Sequence, residues 1–371
     1  MKFDLGSRKK IVIKIGSSLL VENASVREEW LKSLASDISE LLSKNIEIVI
    51  VSSGAIALGK SFLKSKNKKL SLEEKQAAAA IGQIQLMSFY RDFFKKHNLD
   101  VAQILLTASD CNSRQRYLNS KNTIETLLKN HLIPIINEND TVAVDEIKIG
   151  DNDRLAARVA QMISADLLIL FSDIDGLYDK NPKTNKDAKL ISEVEKITKE
   201  IEEMASGTVS EVGTGGMITK IKAAKMASTA SCDTIITNGL VKNPLQKLMN
   251  GKQNYTIFHS EKNLATSRKN WLSGFLNAKG EVVVNSCARD ALLSKKISLL
   301  PIGVTKIIGQ FEKGEAIFIK DEDGNHIASG ISNYSSSDAK KIIGKNSKEV
   351  KEIFGKVKVE IIHIDNMVVI E

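Results

Sequence analysis

Little in this chain suggests covalent or metal cross-linking. Only three of its 371 residues are cysteines, Cys111, Cys232 and Cys287, widely separated and without a Cys-x-x-Cys pair. That argues against a disulfide framework and a structural zinc site. The five histidines show no metal-ligand spacing. No apolar run approaches the roughly 18 to 20 residues of a membrane span. The chain passes from Met1 into a charged segment and a strand with no apolar leader region, so the expectation is a soluble, cytoplasmic protein with no membrane partner. The remaining composition is that of an ordinary globular protein, long enough for two domains. Its formal charge of +8 and pI near 9.1 favour anionic ligands.

Apolar patterning predicts alternating strands and helices. Lys10 to Ile15 reads as a strand ending in Gly16-Ser17-Ser18, and Ser25 to Lys44 as a helix with Trp30, Leu31, Leu34, Ile38, Leu41 and Leu42 on one face. Ile46 to Val51 is a second strand, ending in Ser52-Ser53-Gly54-Ala55. Lys60 to Lys69, with five lysines in ten residues, reads as a solvated flap. Further helices are predicted over Leu72 to Lys96, Asn119 to Asn130 and Met217 to Ala230, and strands over Val101 to Leu106, Ile133 to Ile136, Leu167 to Phe171 and Thr234 to Thr237. This alternation predicts an α/β fold, a mostly parallel sheet sandwiched by helices, over residues 1–258. Residues 259–278 read as a polar linker. Residues 279–371 read as a small, mostly β domain with runs at Val282 to Val284, Ile317 to Lys320, His326 to Ile331, Val357 to Ile364 and Met367 to Ile370, and a hairpin signal at Asp323-Gly324.

Polar residues gather where strands should end. Asn137-Glu138-Asn139-Asp140 follows one strand, and Gly150-Asp151-Asn152-Asp153 precedes an amphipathic helix for which Asn152 or Asp153 would serve as N-cap. Ligands of open α/β sheets bind at the strands' C-terminal ends. Four carboxylates and three carboxamides in these two stretches exceed what capping needs, which suggests a polar, amine-bearing substrate.

Two loops compete as phosphate cradle. Gly54 to Ser61 matches G-x-x-x-x-G-K-[ST], yet a lysine-rich, weakly periodic segment follows it where a P-loop requires a helix. Gly213-Thr214-Gly215-Gly216 instead opens a helix whose N-terminal N–H groups suit an anion, with Lys220 one turn in. Lys14, near the end of an otherwise apolar strand, is costly to bury unless it meets an anion or carboxylate. Lys14 and Lys220 would flank a transferring phosphoryl group, and Asp153 would hold both ammonium groups.

In order along the chain, Lys14 to Ser18, Val51 to Ala55, Asn137 to Asp140, Gly150 to Asp153, Ser172-Asp173 through Gly176-Leu177-Tyr178, and Gly213 to Lys220 resemble the motifs of the amino acid kinase superfamily. The wording is closest to the branch that acts on glutamate, and the C-terminal portion resembles a PUA domain. Serines at Ser17, Ser52 and Ser172 stand where threonine is common in that branch, and each keeps the hydroxyl. The resemblance implies ATP-dependent phosphorylation of the L-glutamate side-chain carboxylate, the first step towards proline. It implies Lys14, Lys220 and Asp153 as catalytic residues, and Ser53, Asp140, Asn152 and Asn137 as glutamate contacts. Lys14, Ser172, Asp173 and the loop Thr214, Gly215, Gly216, Met217, Ile218, Thr219 and Lys220 would hold the nucleotide. Mg²⁺ is expected with ATP, with no protein ligand assigned. Proline as feedback inhibitor, a homo-oligomer and contact with the following reductase are further expectations of the resemblance. The alternatives are sister kinases of aspartate, N-acetylglutamate or UMP, and an RNA-binding protein. Residues 279–371 carry 14 basic against 13 acidic residues, a balance that does not favour RNA.

Overall fold

The computed structural model describes residues 3–23, 25–63, 70–112, 114–142, 152–182, 184–206, 216–260, 278–295, 297–355 and 359–369. The chain forms two compact units, residues 1–263 and 264–371.

The first unit begins with β1 (Lys10–Ile15), α1 (Ser17–Leu20), a small hairpin of β2 (Val21–Glu22) and β3 (Ser25–Val26), α2 (Glu28–Ser43), β4 (Glu47–Ser52), α3 (Ala55–Gly59) and α4 (Leu72–Lys95). It continues through β5 (Val101–Leu106), α5 (Ala108–Asn112), α6 (Arg114–Lys129), β6 (Ile133–Glu138), α7 (Asn152–Ile163) and β7 (Leu167–Ser172). After β8 (Leu177–Tyr178), β9 (Leu190–Ile191) and β10 (Glu193–Val194) come α8 (Lys199–Ser206), α9 (Met217–Ser228), β11 (Asp233–Asn238), α10 (Pro244–Met249) and β12 (Tyr255–Phe258).

Eight strands form one sheet in the order β10-β12-β11-β7-β1-β4-β6-β5. The strands from β11 to β5 run parallel, and β12 pairs antiparallel with β11. β1 is the switch point: the chain adds β4 on one side of it and β7 on the other. In open α/β sheets such a switch point, beyond the C-terminal ends of the strands, is where ligands bind.

Side-chain parity assigns the two faces. Ile11, Ile13 and Ile15 of β1 join Ile48 and Ile50 of β4 and Ile133 and Ile135 of β6 in one core, covered by Trp30, Leu34 and Ile38 of α2 and Leu86, Tyr90 and Phe94 of α4. Val12, Val49, Val51, Ile136, Leu168 and Leu170 form the opposite core, with Leu155 and Val159 of α7 and Ile221 and Ala224 of α9. Lys14 shares the parity of Val12 and points to the α7/α9 face. Ser52 and Asn137 share the parity of Ile50 and Ile135 and point to the α4 face.

Strand and helix expectations correspond to elements within a few residues, with instructive exceptions. Ser25-Val26 is paired with Val21-Glu22 rather than helical, so α2 starts at Glu28. α6 begins at Arg114, five residues before the expected Asn119. β6 extends through Asn137 and Glu138, because those residues continue the ladder with β5. Most of the lysine-rich segment, residues 64–69, lies outside the described residues.

The second unit is built on a five-stranded sheet, β14-β13-β15-β16-β17, of β13 (Gly280–Val284), β14 (Val304–Gly309), β15 (Ala316–Lys320), β16 (His326–Ile331) and β17 (Met367–Val369). Gly324, at φ +86°, turns the β15–β16 hairpin. Among the described residues, three helices join the strands: α11 (Ser286–Lys295), α12 (Ser336–Ile342) and α13 (Ser347–Phe354). A capping box between Asn346 and Glu349 starts α13. The apolar run ending at Ile364 is not a strand in its described part. It contributes one bridge, Leu299 to Ile362, and runs into a 3-10 turn over Ile364–Asn366. Its buried Ile361 and Ile362 instead close the core formed by Val282, Ile317, Ile319 and Ile342.

Candidate active site

At the mouth of the sheet the two faces meet. On the α7/α9 side, the Lys14 ammonium lies 2.5 Å from Asp153 Oδ1 and the Lys220 ammonium 2.9 Å from Asp153 Oδ2. The lysine side chains are 8% and 6% exposed and the aspartate 0%. Burial alone would push the Asp153 carboxyl up, but the two neighbouring ammonium groups outweigh it and hold it below the usual carboxylate range. The aspartate is therefore ionised, and the trio carries one more positive than negative charge. A buried cluster of that sign suits an anion.

Asp153 stands in the first turn of α7 and Lys220 in the first turn of α9, helices packed side by side. The expected capping role is thereby corrected. Asn152 and Asp153 both lie within α7, and their side chains turn to the site rather than to the helix end. Gly216, extended at φ −79° and ψ −178°, precedes α9 and has no side chain to cap it. The positive end of α9 thus lies beside Lys220. Thr219 reaches both the Gly216 carbonyl, at 2.7 Å, and Asp153 Oδ2, at 3.2 Å. Thr214 and Gly215 lie outside the described residues. Met217 is buried, and Ile218 is half-buried.

Across β1, the β4 and β6 ends carry a chain of amides. Asn152 Nδ2 faces the Ser52 carbonyl at 3.1 Å, Ser53 Oγ at 2.7 Å and Asn137 Oδ1 at 3.0 Å. Asn137 Oδ1 also accepts from the Glu138 N–H at 2.9 Å, while its Nδ2 donates to Gln83 Oε1 at 2.9 Å. Asp140, half-buried, lies two residues beyond the end of β6. On the β7 side, Ser172 is buried and its hydroxyl donates to Asp173 Oδ1 at 3.1 Å. Lys14 stands between these groups, because β1 lies between β4 and β7.

One further residue joins the site without a signal in the sequence, and a second braces the β4 end from the core. Gln83 sits in the alanine-rich stretch of α4, and nothing in the helical pattern tells which residue it will face. Tyr90, one of an apolar series, hydrogen-bonds Ser52 Oγ at 2.9 Å in the core. Burial pushes its phenol well above the usual range.

The other glycine loop has a structural role. Gly54, at φ +114°, turns the chain from β4 into α3. A Cβ on Gly59 would lie 1.9 Å from the Ala78 carbonyl oxygen, and one on Gly82 would lie 1.8 Å from that of Ala55. The glycines therefore let α3 and α4 touch backbone to backbone, and Lys60 emerges exposed from a 3-10 turn. The spacing of these glycines is thus accounted for by helix packing. Among the described residues, the one cluster with metal-ligand geometry is Glu193, Glu195 and His259. It lies at the N-terminal end of the parallel strands, away from the trio.

Residues 9–238 match the amino acid kinase family and residues 280–354 the PUA domain. The chain belongs to the amino acid kinase family. It is 47% identical over 364 residues to a protein of Nitrobacter winogradskyi named glutamate 5-kinase, covering 97% of this chain and 96% of that one. It is equally 47% identical over 366 residues to the glutamate 5-kinase of Pelagibacter ubique, covering 98% and 99%. Bradyrhizobium diazoefficiens has another such relative, 47% identical over 369 residues, covering 99% of this chain and 98% of that one.

Proposed function

We propose that this protein transfers the γ-phosphoryl group of ATP to the side-chain carboxylate of L-glutamate, giving a γ-glutamyl phosphate and ADP, as the first step of proline synthesis. The observation that carries this reading is the buried Lys14–Asp153–Lys220 trio next to the amide chain of Asn152, Asn137 and Ser53. An acceptor carboxylate is already ionised at neutral pH, so no general base is needed. A carboxylate oxygen attacks the γ-phosphorus in line, and the bond to the bridging oxygen of ADP breaks. The lysines stabilise charge on the transferring group, and Asp153 keeps them in place.

Ser172, Asp173 and the segment from Thr214 to Lys220 would hold the nucleotide. Ser53, Asn152 and Asn137 would position glutamate, with Asp140 pairing its ammonium group. Mg²⁺ is expected to arrive with ATP. Asp153 is committed to two ammonium groups, which favours a metal held through phosphate oxygens and water. The acyl phosphate is labile, so transfer to a following reductase fits its chemistry.

The test is to trap acyl phosphate with hydroxylamine in the presence of Mg-ATP, offering glutamate, aspartate, N-acetylglutamate or no acceptor. Hydroxamate is expected from glutamate alone, abolished in Lys220→Ala and largely retained in Lys60→Ala. Product with another acceptor alone would overturn the substrate. Loss only in Lys60→Ala would overturn the choice of phosphate site.

A further inference from the structure

The hydrogen-bond chain at the mouth has a defined polarity. The Glu138 backbone N–H can only donate, so the oxygen of Asn137 faces it. Asn137 Nδ2 must then face Gln83, which receives it on Oε1 at 2.9 Å. Asn152 obeys the same polarity, since its Nδ2 faces the Ser52 carbonyl, which can only accept. Gln83 is thus left presenting its Nε2, a buried donor with no hydrogen-bond partner among the described residues. Buried amide donors are rarely left unpaired, and such a group is costly unless a ligand or water completes it.

The backbone holds this donor in place. Gly82, its neighbour, lies against the Ala55 carbonyl, three residues after Ser52, and this backbone contact sets how closely α4 approaches the β4 end. We infer that Gln83 is a positioning and specificity residue of the acceptor site, its Nε2 donating to a carboxylate oxygen of the bound amino acid. This rests on the glutamate kinase reading above. Ser53 would act with it: its Oγ accepts from Asn152, which leaves its own proton to donate. The acceptor carboxylate would then meet two neutral donors, and Asp140 the ammonium group.

Two variants and one wild-type measurement test the inference. Gln83→Met removes the donor at similar volume, and the KM for glutamate should rise about tenfold, as for one lost neutral hydrogen bond. Gln83→Glu keeps an oxygen for Asn137 but puts negative charge where the donor was. Its KM for glutamate should rise about a hundredfold near pH 8, and should fall back as the pH is lowered through the new carboxyl's titration, while that of Gln83→Met should not. The KM for ATP should stay within about twofold in both. In the wild type, the Gln83 side-chain amide resonances should shift on adding glutamate and not on adding ATP alone. A lowered Tm with an unchanged KM for glutamate would show a purely structural glutamine and overturn the inference, as would amide resonances unmoved by saturating glutamate. A wild type that makes no hydroxamate from glutamate would instead overturn the function itself.

Discussion

Asp153 is the residue on which the phosphate side of the site turns. Its carboxyl is held low by Lys14 and Lys220 against its own burial, so its contribution to folding follows a definite sign. The contribution is complete above the ordinary aspartate value of about 3.9 and is lost only as pH falls through the lower folded value. Asp153→Asn should therefore destabilise the protein by about 3–5 kcal/mol, leaving two buried ammonium groups without their carboxylate. That difference should be constant from about pH 5 to 8 and shrink in stronger acid, as read by denaturant unfolding. Hydroxamate formation should fall at least about a hundredfold. A difference that varied across neutral pH would contradict the ionised state assigned here. Tyr90→Phe provides a milder contrast. It deletes the buried bond to Ser52 and should cost about 1 kcal/mol with the glutamate KM nearly unchanged. A large rise in KM would mean that Tyr90 acts on the substrate as well as on the core.

Among the elements, the crossing of α3 and α4 has the least tolerance. A methyl at Gly82 would lie 1.8 Å from the Ala55 carbonyl oxygen, and backbone on both sides leaves no side chain to swing away. Gly82→Ala should destabilise by at least about 1–3 kcal/mol, the usual cost of overpacking. It should also lower activity, because Ser53 and Gln83 flank the contact. Ile84, 76% exposed on the same helix, provides the control: Ile84→Ser should be nearly neutral on both counts. A Gly82→Ala protein as stable as the wild type would refute the packing. The same crossing accounts for the glycine spacing of Gly54 to Ser61 without any phosphate. Its second glycine is needed for helix contact, and its lysine ends in solvent.

For the whole molecule, the two units have separate cores, and each described residue of the proposed site belongs to the first. A chain ending at residue 278 is therefore expected to keep forming hydroxamate from glutamate. Loss of activity in a folded truncated protein would assign the second unit a direct part in catalysis. Proline is proposed as a feedback inhibitor because the reaction would open its pathway. Millimolar proline should slow the full-length enzyme, and an unaltered rate would end that proposal. A homo-oligomer is likewise proposed, to be checked by light scattering.

The α/β class was legible because burial on both faces requires apolar strands, and amphipathic helices show their period. The charges that matter were legible for a related reason. Lys14 in an apolar strand and the polar runs at Asn137 and Asn152 contradict their surroundings, and such contradictions are expensive. What the linear pattern did not contain was which groups meet. Lys14 faces Asp153 and Lys220 rather than α4 because it shares a parity with Val12. Gln83 reaches Asn137 because two glycines bring α3 against α4 and β6 carries its ladder to Glu138. Patterns of burial and period are local and can be read one segment at a time. Strand order, face and helix approach depend on residues far apart in the chain, so the tertiary structure alone decided how the site is assembled.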